Sequence, residues 1–175
     1  MKYRSAFLAA CLVLALAAQA EAQRKSDLSR SKPAAVECPN CPEQTFSAFI
    51  TGYSSATNEP PNSTAIWLDG KSGSAGGTGT YADPVTVAVA DGQYRYGTVF
   101  YLPHLRRYFK AADSCPPCKE GHKGLPWLDV YVGDAGGPDV LKCQGKLTGI
   151  RDVIQNPKAT YLVQSGAIFD GKCAI

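Results

Sequence analysis

Histidine is almost missing from this sequence. His104 and His122 are the only two; both lie in Pro- and Gly-rich stretches, and neither stands at metal-ligand spacing from other donors. No metal and no cofactor are therefore expected. Charge of one sign is also lacking, since 18 basic residues face 15 acidic ones. So small a bias argues against nucleic acid or an anionic membrane surface as partner. After the N-terminus no apolar run approaches the roughly 20 residues that a spanning helix needs. No window sustains a helical period over three turns, and no internal repeat is present. The Gly-rich segment Gly70–Thr80 lacks the spacing and the Lys-Ser/Thr of a phosphate-binding P-loop, and Ser114 has no nucleophile-elbow pattern around it.

What is present begins with an export signature. Lys2 and Arg4 precede an apolar run from Ala6 to Ala18, which ends in Ala18-Gln19-Ala20-Glu21-Ala22. A short basic region, about a dozen apolar residues and a small-x-small end make a cleavable signal peptide over residues 1–22. The mature N-terminus would be Glu21 or Gln23, not the histidine of a copper brace. Losing Lys2, Arg4 and Glu21 leaves 16 basic and 14 acidic residues. The polar stretch 23–43 reads as a flexible leader, and 44–175 as one domain large enough for its own core. Secretion to the cell exterior or periplasm is expected, as a monomer with no membrane contact after cleavage.

Cleavage also removes Cys11, one of seven cysteines, and leaves Cys38, Cys41, Cys115, Cys118, Cys143 and Cys173. The pairs Cys38/Cys41 and Cys115/Cys118 have zinc-ribbon spacing. An oxidising compartment and the neighbouring prolines favour disulfides instead, among 15 possible connectivities. Asn62-Ser63-Thr64 is an N-glycosylation sequon if the export route is eukaryotic.

The body of the chain is β-like. Thr45–Tyr53, Thr64–Leu68, Val85–Ala90, Thr98–Leu102, Arg107–Ala111, Trp127–Val132 and Thr160–Val163 are short runs rich in β-branched and aromatic residues. Gly, Pro, Asn and Asp punctuate them. Asp139–Lys146 predicts one short helix, and Asn58–Ser63 and Gly70–Thr80 predict surface loops. An all-β barrel or sandwich follows, between which periodicity does not choose.

Two carboxylates stand out. Asp113 closes a strand just before Cys115-Pro116-Pro117-Cys118, and Asp129 sits inside the apolar run Trp127–Val132. A carboxylate in such a run needs a hydrogen bond, a partner or a function. One desolvated beside another has a raised pKa and can act as a general acid. Trp67, Tyr94, Tyr96, Tyr108 and Trp127 are candidates for stacking on sugar rings, or for the core.

These fragments occur in an informative order. Thr51-Gly52-Tyr53, Gly79-Thr80-Tyr81-Ala82-Asp83-Pro84, Val87-Ala88-Val89, Gly97–Pro103, Ala112-Asp113-Ser114-Cys115 and Leu128–Gly133 together resemble a double-psi β-barrel. The likeness is to the three-aspartate domain of membrane-bound A-type lytic transglycosylases, to rare lipoprotein A-like proteins (RlpA-like), and to expansins. It covers roughly Thr45 to Gly149. It implies a six-stranded double-psi barrel with long loops and disulfides. It further implies Asp113 as acid/base, Asp129 as its partner, and Thr51 and Tyr53 as groove residues that bind substrate. The third family aspartate has its nearest counterpart in Asp91, offset by Ala90. The Cys-Pro-Pro-Cys segment stands where the transglycosylases carry a glycine-rich turn.

The resulting expectation is a secreted protein that engages cell-wall polysaccharide (peptidoglycan, cellulose or chitin) through an expansin-like groove with little or no hydrolysis. A glycosidic-bond-cleaving enzyme using Asp113, of lytic transglycosylase or endoglucanase type, is the alternative. A secreted inhibitor or effector that binds a protein is the third.

Overall fold

The computed structural model describes residues 41–175. The expected signal peptide 1–22, most of the expected leader and Cys38 lie outside the described residues. Eight strands and one helix follow in order: β1 (Gln44–Tyr53), β2 (Ala65–Leu68), β3 (Lys71–Ser74), β4 (Val85–Val89), β5 (Val99–Leu102), β6 (Arg107–Ser114), β7 (Trp127–Tyr131), α1 (Pro138–Leu147) and β8 (Gly149–Gln155).

Six strands close into a barrel in the order β1-β7-β4-β6-β5-β8, and β2 and β3 form a separate hairpin. Two of the barrel's pairings are parallel, β1 with β7 and β4 with β6; the others are antiparallel. Closure leaves the six barrel strands without an open edge, the usual liability of a small β protein. The closed six-stranded barrel and the all-β class are as the sequence predicts.

Alternation along the strands builds the core. Ala48 and Ile50 of β1, Leu128 and Val130 of β7, Phe109 and Ala111 of β6, Phe100 and Leu102 of β5 and Val153 of β8 are all fully buried. β4 (Val-Thr-Val-Ala-Val) is buried at all five positions, because it lies inside the sheet and its outer face is covered as well. Gly76 contributes to that cover, its N–H donating to Thr86 Oγ1 at 3.1 Å and its carbonyl accepting from the Thr86 N–H at 2.8 Å.

The helix starts on Pro138, with Asp139 in its first turn and Lys146 in its last, as capping and the helix dipole favour. Val140, Cys143 and Leu147 make its buried stripe. It packs on β1 at Gly52, where a Cβ would meet Leu147 Cδ1 and Val132 Cγ1 at 3.0 Å each. The Cys143–Cys173 disulfide ties the helix to the C-terminal segment. That segment is also held by Arg107, which is 1 % exposed. Its guanidinium donates to the carbonyls of Leu105 (3.2 Å), Gly166 (3.2 Å) and Ala174 (2.9 Å).

Three sequence expectations change. Thr160–Val163 is not a strand: the Tyr161 N–H donates to the Tyr108 hydroxyl at 3.0 Å, and the Leu162 carbonyl accepts from Tyr101 at 2.7 Å. Side chains thus take the backbone groups that a ladder would use. The segment Gly70–Thr80 is not wholly loop, since Lys71–Ser74 pairs with β2. β8 was not expected at all; its Gly-Ile-Arg-Asp-Val-Ile-Gln is only weakly alternating, yet it closes the barrel against β1 and β5.

Candidate functional site

Ala88 is the centre of the site. On β4 it pairs with Asp129 of β7 on one side and with Asp113 of β6 on the other. Asp129 pairs in turn with Thr51 of β1. Residues in lateral register share a sheet face. Thr51, Asp129, Ala88 and Asp113 therefore form a row across four strands, facing away from the interior residues Val87, Val130 and Ile50.

Asp113 joins this row because of a β-bulge. Val87 pairs with Ala111 but Ala88 pairs with Asp113, which leaves Ala112 as the extra residue. Unbroken alternation would put Asp113 on the side of Phe109 and Ala111, inside the barrel. The bulge reverses the alternation and re-aims the carboxylate.

Hydrogen bonds then fix each carboxylate. Tyr53 Oη donates to Asp113 Oδ2 at 2.9 Å, while Oδ1 accepts from the backbone N–H groups of Ser114 (2.9 Å) and Trp67 (3.2 Å). Asp113 is 7 % exposed. Burial pushes its pKa above the usual carboxylate range, and the three donors pull against that shift. Asp129 Oδ1 accepts from Thr51 Oγ1 at 2.6 Å, and Thr51 Oγ1 itself accepts from Trp127 Nε1 at 2.7 Å. Burial pushes Asp129 up to about 6; the Thr51 bond opposes the shift and the charge of Asp113 adds to it. The Tyr53 phenol is held far above its ordinary range by burial and by Asp113. It acts as a fixed donor.

A groove of about 450 Å³ opens over Asp113. Asn58, Glu59, Trp67, Ser72, Ser114 and Pro116 are among its lining residues. The β2–β3 hairpin forms one wall, latched to the carboxylate by the Trp67 N–H. The Cys115–Cys118 disulfide shapes the end beyond Ser114, and the Cys115 N–H donates to the Val89 carbonyl at 2.8 Å.

The structure thus brings Asp113, Tyr53, Thr51 and Asp129 together, but in unequal positions. Asp113 lines the groove. Tyr53 is buried and reaches the groove only through its bond to Asp113. Thr51 and Asp129 lie further along the row, outside the groove lining. Asp91, offset in the sequence comparison, returns to the site through Ser114, whose hydroxyl donates to Asp91 Oδ1 at 2.6 Å. Sequence reasoning missed Asn58, Glu59 and Ser72, because it read their segments as plain surface loops. The signal available was Ile66 and Leu68 alternating with Trp67, the mark of a strand with one face outward.

The remaining candidates fall elsewhere. His122 stacks on Phe49 with ring centroids 4.0 Å apart. His104 lies beside Arg151 in a smaller hollow with Pro103, Ile150 and Asp152. Burial, helped by Arg151, holds its pKa down at about 4. Among the described residues, Cys115–Cys118 and Cys143–Cys173 are the disulfides.

Comparison with known proteins adds a family. Residues 45–174 match the family model described as the DDB_G0273701 N-terminal domain. A protein of Dictyostelium discoideum, "Uncharacterized protein DDB_G0273701/DDB_G0273221", is 32% identical over 133 residues, which is 74% of this chain and 59% of that protein. The chain therefore spans less than two thirds of the relative's length. No solved structure matches it. With the match running from the first barrel strand to the C-terminal segment, the chain belongs to the DDB_G0273701 N-terminal domain family.

Proposed function

We propose that this is a secreted protein that engages cell-wall polysaccharide through an expansin-like groove on a double-psi β-barrel, with little or no hydrolysis. The two parallel pairings within a closed six-stranded barrel support the double-psi reading. The disulfides support an oxidising, extracellular compartment.

One observation carries the preference for binding over cleavage: both oxygens of Asp113 are already engaged, by three protein donors. An acid catalyst must hold a proton and present it to a glycosidic oxygen. Donors aimed at both carboxylate oxygens favour the anion over the acid and, of about four acceptor directions, leave one open on Oδ2. Such a carboxylate is better suited to accepting sugar hydroxyls and bracing the groove wall. The second family carboxylate, Asp129, lies outside the groove lining, so the two do not flank one bond from within it. The cleavage reading keeps one supporting feature, the upward push that burial gives Asp113.

The test is to incubate wild type and Asp113→Asn with peptidoglycan, chitin and cellulose, scoring both pull-down and released sugars. Pull-down without soluble product supports the binding role. Product that disappears in the variant supports the enzyme. Absence of pull-down and of product on every polymer would sink both.

A further inference from the structure

Five aromatic residues stand out as potential sugar platforms, and the structure separates them. Tyr94 is buried, stacked near Phe46 and edge-on to Phe100. Tyr108 is wholly buried, with its hydroxyl donating to the Lys158 carbonyl at 2.6 Å. Trp127 packs edge-on to Phe49 and donates from Nε1 to Thr51. Tyr96 already has Lys71 Nζ and Lys110 Nζ within 5.2 and 5.7 Å of its ring centroid. Trp67 differs from all four. It is 53% exposed and lines the groove over Asp113. Its indole has neither a ring partner nor a hydrogen-bond partner among the described residues.

A solvent-facing tryptophan held in a groove wall offers a flat ring well shaped for the apolar face of a pyranose. Its backbone is fixed by the bond to Asp113 and by pairing with Ser72 across the hairpin. The platform is therefore organised before any ligand arrives. The groove's charge narrows the ligand further. Glu59 and Asp113 line it, Asp91 stands behind Ser114, and no lysine or arginine is among the lining residues. A polymer carrying a carboxylate on every sugar would meet like charge with no cation to offset it.

We infer that Trp67 is the sugar-stacking platform of this groove, and that the groove takes an uncharged polysaccharide and rejects a polyuronate. The inference rests on the polysaccharide-binding reading above and is separable from it. The measurement is retention of the full mature chain on cellulose, chitin and insoluble polygalacturonate at low salt. Wild type is retained on cellulose or chitin and not on polygalacturonate. Trp67→Ala weakens that retention at least tenfold, as expected of an aromatic anchor, while Trp67→Tyr keeps most of it. Glu59→Gln, or added salt, raises retention on polygalacturonate. Unchanged melting temperatures show that the variants are folded. Binding to cellulose or chitin that survives Trp67→Ala overturns the platform. Equal wild-type retention on polygalacturonate overturns the charge selection. Retention on none of the three overturns the polysaccharide reading itself.

Discussion

Tyr53 and Asp113, sixty positions apart in sequence, meet through a buried hydrogen bond of 2.9 Å. Tyr53 ends β1, Asp113 lies near the end of β6, and the bond joins strands that are not neighbours in the barrel. It acts as a tie across the face that carries the site. Tyr53→Phe should cost about 1.5–3 kcal/mol at neutral pH, the usual range for a hydrogen bond to a charged group. The cost should shrink as pH falls through the raised pKa of Asp113, because the bond then joins two neutral groups. Urea denaturation of wild type and variant at pH 7 and pH 4 measures both effects. Equal costs at the two pH values would mean that Asp113 does not change its charge between them, against the upward push that burial gives it.

Asp129 gives a pH dependence of the opposite kind to an ordinary salt-bridged carboxylate. Its pKa is raised from 3.8 to about 6 by burial, so the folded state binds its proton more tightly than the unfolded state does. The stability linked to that proton is complete below about pH 4 and is lost as pH rises through about 6. Asp129→Asn keeps an oxygen to accept from Thr51 but removes the titration. Relative to that variant, wild type should lose on the order of 2 kcal/mol between pH 4 and pH 7. Parallel stability curves across that window would place Asp129 in a more solvated setting than its surroundings imply.

Much of this was legible in the sequence, and the exceptions share a cause. Strands β1, β4, β5, β6 and β7 announce themselves because each carries apolar or β-branched residues at the spacing that a core demands. The helix at Pro138–Leu147 is marked by its proline start and its Val140, Cys143 and Leu147 stripe. Asp113 and Asp129 stand out as charges next to apolar runs. What stayed hidden depends on partners distant in sequence. Ala112 looks like any strand alanine until its register with β4 makes it a bulge. Gly149–Gln155 is a strand because β1 and β5 supply its ladder, not because of its own pattern. Glu59 and Trp67 belong to the site only because the hairpin folds over Asp113.

The bulge itself is testable by deletion. Removing Ala112 makes Asp113 the residue after Ala111, so regular alternation keeps the carboxylate opposite Ala88 on the outer face. What the deletion removes is the extra residue and the added twist, not the outward aim. The variant should therefore fold, with a loss within about 3 kcal/mol, and should keep the bond from Tyr53 to Asp113. Tyr53→Phe then costs as much in the deletion background as in the wild-type chain, and thermal denaturation of the two single variants and their combination reads this. A Tyr53→Phe cost that vanishes in the deletion background would mean that Ala112 is needed to aim the carboxylate at Tyr53.

The two disulfides should differ in what they contribute, because they close loops of different length. Cys143 and Cys173 are 30 positions apart, whereas Cys115 and Cys118 are 3 apart. Loop-closure entropy assigns about 3.5 kcal/mol to the longer loop and about 2 kcal/mol to the shorter. The consequences for the site run the other way. Opening Cys143–Cys173 releases the C-terminal segment from α1, while Arg107 still holds that segment through the Gly166 and Ala174 carbonyls and leaves the groove lining untouched. Opening Cys115–Cys118 frees the turn next to Ser114 and Pro116, which line the groove. Paired serine replacements should therefore separate the properties. Loss of the 143–173 bridge should lower the unfolding free energy more and polysaccharide retention less, and loss of the 115–118 bridge should do the reverse. Chemical denaturation and pull-down on the same four proteins (wild type, each paired variant and the quadruple variant) make the comparison. Equal losses in both properties from either bridge would mean that the groove and the helix clamp unfold as one unit.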